Sequence, residues 1–247
     1  MKTAIVTGAS SGIGRALAVR LAEEGFRLAV MARRTALLLE LQKTLAVPVT
    51  VAASDLSNPA QALKDFQSLW DSLGDVDLVI LNAGVSLPCR DFSWENDRAM
   101  INVNAAAFTA LAQETVTRFL RQGQGHLAGI SSIAGTRGSG KAPVYGATKA
   151  FVSNYLQGLR QQVRALCPAI CITDVRPGFV DTVMIQSTPR KFWVASPEKA
   201  AAQILEAIRR RRRAVYVTRR WQVVAILFFL VPEAFLEWIY ARFLKPA

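Results

Sequence analysis

The chain has 247 residues, 51% hydrophobic and 19% charged, which is long enough to enclose a core without disulfides and far too apolar for a disordered segment. Its 15 glycines and 10 prolines are scattered, which excludes collagen-like and low-complexity classes, and Cys89, Cys167 and Cys171 form no Cys-x-x-Cys pair and avoid the single His126, which argues against a metal centre and for a reducing compartment. The net charge of +12 is uneven: Arg209 to Arg213 with Arg219 and Arg220 supply seven positive charges with no acid between them, leaving the first 208 residues mildly basic.

From Met1 and Lys2 the chain passes into an apolar run over 3–7, too short for a secretory signal and suited to a first strand, so the protein is expected in the cytoplasm. Thr7, Gly8, Ala9, Ser10, Ser11, Gly12, Ile13 and Gly14 follow at once and lead into helical periodicity over 12–24, ended by Gly25. A glycine cluster between a strand and a helix lets backbone amides and the positive helix end approach a pyrophosphate, so this is read as a dinucleotide site.

The second strand, 27–31, runs into Ala32, Arg33 and Arg34, with no Asp or Glu between Arg27 and Leu39 and with Arg15 at the loop exit. An acid here would hold an adenosine 2′-hydroxyl, whereas arginines suit a 2′-phosphate, so NADP(H) is the expected cofactor.

Helical patterns over 35–46, 59–73, 94–122, 143–166 and 197–210 then alternate with strand-like runs at 47–52, 78–82, 127–131, 170–176 and 215–218. Asn58 before Pro59 and Ser196 before Pro197 are helix starts, and Gly123 closes the long central helix. Strand, helix, strand throughout predicts an α/β fold: a Rossmann-type, doubly wound, seven-stranded parallel sheet with helices on both faces, over 1–218.

Residues 219–247 form an apolar C-terminal extension. An uninterrupted apolar run over 223–231 meets Pro232, and beyond it Phe235, Ile239 and Phe243 recur beside Leu236, Tyr240 and Leu244 as in an amphipathic helix. The run before Pro232 is well short of the roughly 20 residues that a spanning helix needs. Three readings of the extension stand: a dimer-interface element, a cover for the substrate pocket, or an in-plane contact through 209–247 with the inner face of a membrane, aided by arginines attracted to anionic lipid.

Tyr145 and Lys149, four residues apart on the helix over 143–166, share a face. An ammonium about 4 Å from the phenol, at an effective dielectric near 20, is worth at most roughly 4 kcal/mol, enough to draw a tyrosine pKa of about 10 toward neutrality for general acid-base work.

These residues, with the Thr-Gly-x-x-x-Gly-x-Gly loop, Asp55 after the third strand, Asn82-Ala83-Gly84 after the fourth, Asn104, Ser132, Pro177-Gly178 and Thr182, resemble the short-chain dehydrogenase/reductase family over roughly residues 3–218. The resemblance implies that Tyr145 protonates a carbonyl oxygen, Ser132 hydrogen-bonds that oxygen, Lys149 holds the nicotinamide ribose and lowers the tyrosine pKa, and Asn104 supports a water relay. It further implies that Gly8, Ser10, Ser11, Gly12, Ile13 and Gly14 meet the phosphates, Asp55 and Leu56 the adenine, Asn82, Ala83 and Gly84 the adenosine ribose, and Pro177, Gly178 and Thr182 the nicotinamide. Spacing favours Ser132 over Ser131 and Asn104 over Asn102.

The segments 85–94, 136–142 and 179–195 are expected to line the carbonyl site, the last within a lid over about 179–196. Phe179, Val183, Met184, Ile185, Phe192 and Trp193 make that lid apolar, so a lipophilic ketone, aldehyde or alcohol is expected; Arg190 and Lys191 read first as solvated surface cations and second as contacts for an anionic headgroup. A homodimer or homotetramer is expected. The rival readings are a non-catalytic NADP-binding or membrane-associated scaffold of the same fold and a nucleic-acid binder; the second lacks any reader motif. His126, Cys167, Cys171 and the tryptophans Trp94, Trp193, Trp221 and Trp238 read as packing or interfacial residues.

Overall fold

The computed structural model describes residues 1–88, 92–186 and 192–243, so Cys89, Arg190 and Lys191 lie outside the described residues. Seven parallel strands form one sheet in the order β3-β2-β1-β4-β5-β6-β7. They are β1 (Thr3–Thr7), β2 (Arg27–Ala32), β3 (Val49–Ala53), β4 (Leu78–Leu81), β5 (Gly125–Ile130), β6 (Ile170–Pro177) and β7 (Ala214–Val217). The expected strands are all present, each with ends within two residues of the spacing-based bounds. β1 and β4 are buried along their whole length, the pattern of central strands covered on both faces.

Two cores flank the sheet. On one face α1 (Gly12–Glu23), α2 (Thr35–Thr44) and α7 (Pro197–Arg209) pack Leu17, Leu21, Leu38 and Ile204 onto Val6, Val30 and Ile80. On the other, α3 (Pro59–Asp71), α5 (Phe108–Gln122) and α6 (Pro143–Leu166) set Phe66, Trp70, Phe119 and Leu156 against Ile5, Val79 and Leu127. Asn58 and Ser196 accept from the third residue of their helices, as their place before a first-turn proline implied. The chain reverses its winding between β1 and β4, so the loops after β1 and β4 face each other across the sheet's carboxyl edge.

The helix expected over 94–122 is broken into α4 (Trp94–Ile101), a π-helical turn at Asn102–Ala107 and α5. The wide turn admits an extra residue, which shifts the helical phase and turns Asn104 into the interior, where it is 1% exposed.

The C-terminal extension forms α8 (Arg220–Leu230) and α9 (Glu233–Phe243). Trp221 and Ala225 are buried against the body. The Arg137 guanidinium donates to the carbonyls of Phe228 (2.8 Å) and Val231, capping the negative end of α8. The seven clustered arginines are divided in space. Arg209 to Arg213 precede β7 at its amino end, with Arg209 and Arg210 paired to Glu24 and Glu206, while Arg219 and Arg220 follow β7 at its carboxyl end.

Candidate active site

The glycine loop leaves β1 with Gly8 at φ +69, and a Cβ on Gly14 would overlap the Gly8 carbonyl oxygen and Asn82 Nδ2. The α1 amino end carries no side-chain cap, so its amides stay available to an anion. These features fit a pyrophosphate. The Arg34 guanidinium donates to Ser10 Oγ (3.0 Å) and Ser11 Oγ (2.6 Å), which brings a cation to the mouth of the loop. Arg15 and Arg33 are exposed nearby in sequence.

Asn82 is turned toward the glycine loop. Its Nδ2 donates to the carbonyls of Thr7 (3.1 Å) and Gly8 (3.2 Å), which occupies the side chain that the resemblance assigned to ribose. Thr7, which the motif reading passed over as a site residue, accepts the backbone amides of Asn82 (3.0 Å) and Ala83 (3.1 Å) at its Oγ1 and so joins the loops after β1 and β4. Asp55 is exposed and accepts the amide of Ser57, whereas Leu56 is buried with Ala62 and Phe66.

The catalytic candidates meet at the carboxyl edge of β4, β5 and β6. Ser132 follows β5; its Oγ accepts the Ala134 amide at 3.1 Å, and its side chain lies close enough to Tyr145 to lower the phenol pKa. Ser131 faces the other way, donating to Asp174 and to the Val175 carbonyl from a buried position, so the choice of Ser132 agrees with the geometry.

Tyr145 and Lys149 share a face of α6, with Lys149 Nζ 5.8 Å from the phenol ring centre and donating to the Ile130 carbonyl at 2.9 Å. Burial raises the Tyr145 pKa above the usual phenol value, and the Ser132 hydrogen bond partly opposes this. Lys149 is not among the causes of this shift. Burial dominates at both residues, and it pulls Lys149 itself down to about 8 against the opposing charge of buried Asp174.

Asn104 Oδ1 accepts the Val85 amide (2.9 Å), and its Nδ2 donates to the Val85 carbonyl (2.8 Å) and to Thr148 Oγ1 (3.1 Å). Asn104 Oδ1 and Lys149 Nζ converge over Gly84, 3.3 and 3.1 Å from where its Cβ would stand, so a side chain at 84 would crowd both. Asn102 instead donates to the Ser57 carbonyl, away from this point.

Pro177 and Gly178 close β6, and Thr182 Cγ2 abuts Gly12, which brings the nicotinamide-end motif against the glycine loop. Trp221, read from sequence as a packing residue, contacts Gly178 directly and stands among Phe179, Phe192 and Trp193 with ring centres 5.1 to 5.9 Å away. Its buried indole N–H has no partner among the described residues.

Beside Ser132 a cleft of about 600 Å³ runs past Gly135, Thr136, Ser153, Asn154 and Tyr216 under a roof of Ala225, Ile226 and Leu230. Among the described residues, only 136–142 of the three segments expected to line the carbonyl site contributes to this cleft, through Thr136. Its roof comes from Ala225, Ile226 and Leu230 of α8. Sequence carries a signal for Trp221 and Arg137 only as residue types, because both act on partners far along the chain.

His126 lies in β5, bonded to Thr173 Oγ1 at 2.8 Å, and takes no part in the site. Among the described residues no group of His, Cys, Asp and Glu is arranged to hold a metal ion.

A family model for the short chain dehydrogenases matches residues 2–192. An uncharacterized oxidoreductase of Mycobacterium tuberculosis is 32% identical over 238 residues, covering 92% of this chain and 93% of its own. A short-chain dehydrogenase from Sphingobium yanoikuyae, solved in complex with NADPH, is 27% identical with a TM-score of 0.79, covering 95% of this chain and 98% of its own. A short-chain dehydrogenase/reductase from Burkholderia phymatum in complex with NAD shares the fold at a TM-score of 0.83 and 22% identity, over 92% of each chain. With its seven-stranded parallel sheet, its glycine loop and the meeting of Ser132, Tyr145 and Lys149, the chain belongs to the short-chain dehydrogenase family of oxidoreductases.

Proposed function

We propose that the protein is an NADP(H)-dependent reductase of a lipophilic ketone or aldehyde, with Tyr145 as the proton donor and the reverse alcohol oxidation open to the same groups. The observation that carries this reading is the placement of Tyr145 and Lys149 on one face of α6, with Lys149 Nζ 5.8 Å from the phenol ring centre and Ser132 close enough to bear on the phenol's pKa. A bound reduced nicotinamide supplies the hydride.

The residues suited to hold that cofactor are the glycine loop with the α1 amino end for the pyrophosphate, Arg34 with Arg15 and Arg33 for a 2′-phosphate, Lys149 for the ribose, and Pro177, Gly178 and Thr182 for the ring. The choice of the phosphorylated form rests on Arg34 at Ser10 and Ser11 and on the lack of any acid at the end of β2. The relative solved with NADPH supports a nicotinamide cofactor.

Because burial holds Tyr145 protonated at neutral pH, its hydroxyl is in the form that donates. Ser132 orients the phenol and offers a hydrogen bond to the same substrate oxygen as negative charge develops there. Lys149 stays cationic below about pH 8, and Asn104 beside it fixes the loop at Val85. The α8 roof of Ala225, Ile226 and Leu230 favours an apolar substrate body, while Asn154, Gln157 and Arg176 on the cleft's other walls can meet a polar group.

The test is NADPH oxidation, followed by absorbance, with a panel of acyl, steroid and aldehyde carbonyls. Tyr145→Phe should lose about 10²- to 10⁴-fold in turnover while still binding NADPH. Turnover preserved in that variant would overturn the mechanism, and NADPH binding without turnover of any carbonyl by the unaltered protein would favour a scaffold.

A further inference from the structure

We propose that α8, α9 and the described part of the lid form a docking surface for a lipid bilayer bearing anionic headgroups, and that Arg219 and Arg220, not Arg209 to Arg213, are its cationic contacts. The docking stands on the surface itself and does not rest on the function proposed above.

Exposed large apolar side chains concentrate around the mouth of the site. Val223 and Leu227 on α8 are 59% and 55% exposed although the opposite side of the helix buries Trp221 and Ala225, so α8 is apolar inward and outward alike. Phe235 and Trp238, stacked on each other, extend the patch along α9, and Phe192, Trp193 and Val194 extend it across the lid. Trp221 against Phe192, and the Arg220 guanidinium 5.9 Å over the Trp193 ring, join tail and lid into one platform.

Two features favour a bilayer as the occupant. α8 and α9 meet at 109°, and no single helix among the described residues is long and apolar enough to cross a membrane, so the pair suits lying in the interface, where tryptophans anchor. The charge at the foot of the platform suits anionic lipid: exposed Arg219 and Arg220 stand there with no acid between Glu206 and Glu233, while Glu233 and Glu237 farther along, on α9, are partly offset by Arg242. The five-arginine run lies at the other end of β7, roughly 13 Å of strand away at about 3.3 Å per residue, where Arg209 and Arg210 are paired with Glu24 and Glu206.

The test is co-sedimentation of the full chain with phosphatidylcholine vesicles, with and without phosphatidylglycerol, together with sedimentation velocity in the absence of lipid. Binding should require phosphatidylglycerol and weaken with salt. It should fall roughly 30-fold in Arg219→Gln/Arg220→Gln, vanish in Val223→Asp/Leu227→Asp, and stay unchanged in Arg211→Gln/Arg212→Gln/Arg213→Gln.

Absent binding by the unaltered chain, or binding lost with the 211–213 triple variant and retained in the 219–220 pair, would overturn the proposal. So would self-association that Val223→Asp/Leu227→Asp abolishes in a chain that ignores vesicles, since a second copy would then be the occupant. The readout is independent of turnover, so failure of the reductase reading leaves it intact.

Discussion

The indole of Trp221 rests on Gly178, so close that a methyl group at position 178 would overlap Nε1, Cε2 and Cδ1 of the ring. This contact ties the first turn of α8 to the Pro177-Gly178 turn, while Arg137 holds the other end of the helix to the loop after Ser132. The extension is thereby attached to both loops that frame the site.

Gly178→Ala should displace Trp221 and lower stability by about 1–3 kcal/mol, the usual range for overpacking. Trp221→Ala alone should cost about 3–5 kcal/mol through the lost ring. In the double variant the added methyl finds the space the indole left, so the double should be clearly less destabilised than the two singles combined. Thermal or denaturant melts check this, and simple additivity would contradict the contact.

Arg34 bonds to Ser10 and Ser11 at the loop mouth, where a 2′-phosphate would compete for it. A charge-assisted bond to phosphate is worth about 2 kcal/mol, or roughly 30-fold. Arg34→Ala should raise KM for NADPH by about that factor and change KM for NADH little. Equal effects on both cofactors would place the arginine outside phosphate recognition.

Lys149, lowered to about 8 chiefly by burial, carries its charge at neutral pH and loses it as pH rises past that value in the free enzyme. The kcat/KM for reduced cofactor should be flat near pH 7 and fall about tenfold per unit above roughly pH 8. A profile still flat at pH 9.5 would show that this ammonium does not support cofactor capture.

His126 is held near 4, mainly by burial and secondarily by Arg211, against an ordinary value of 6.5. Thr173 Oγ1 donates to the Arg212 carbonyl, so the imidazole Nε2 must be the donor to Thr173, and the depressed pKa keeps the ring neutral near pH 7. With the folded value depressed, the unfolded chain takes up a proton between about pH 6.5 and 4 that the fold refuses. Stability should therefore fall by up to about 3 kcal/mol as pH drops through that window. Denaturant melts of His126→Gln should show a shallower loss between pH 7 and 4.5; parallel pH profiles would contradict the assignment.

What the chain reveals on its own is the local geometry. Glycines between a strand and a helix, a tyrosine and lysine one helical turn apart, and a proline behind a capping residue each act within a few residues, so order and spacing were enough to place β1, α1, α3, α6 and α7 and to single out Ser132 and Asn104 as candidates. Contacts between distant segments needed the tertiary structure. Thr7 bridging to Asn82 and Ala83, Asn104 turned inward by a π-helical turn, Arg137 capping α8 and Trp221 seated on Gly178 join residues whose separation in sequence carries no trace of their meeting. The same holds for charge: seven arginines that read as one cluster are parted by a four-residue strand, because an extended backbone carries neighbours in sequence to opposite ends of the sheet.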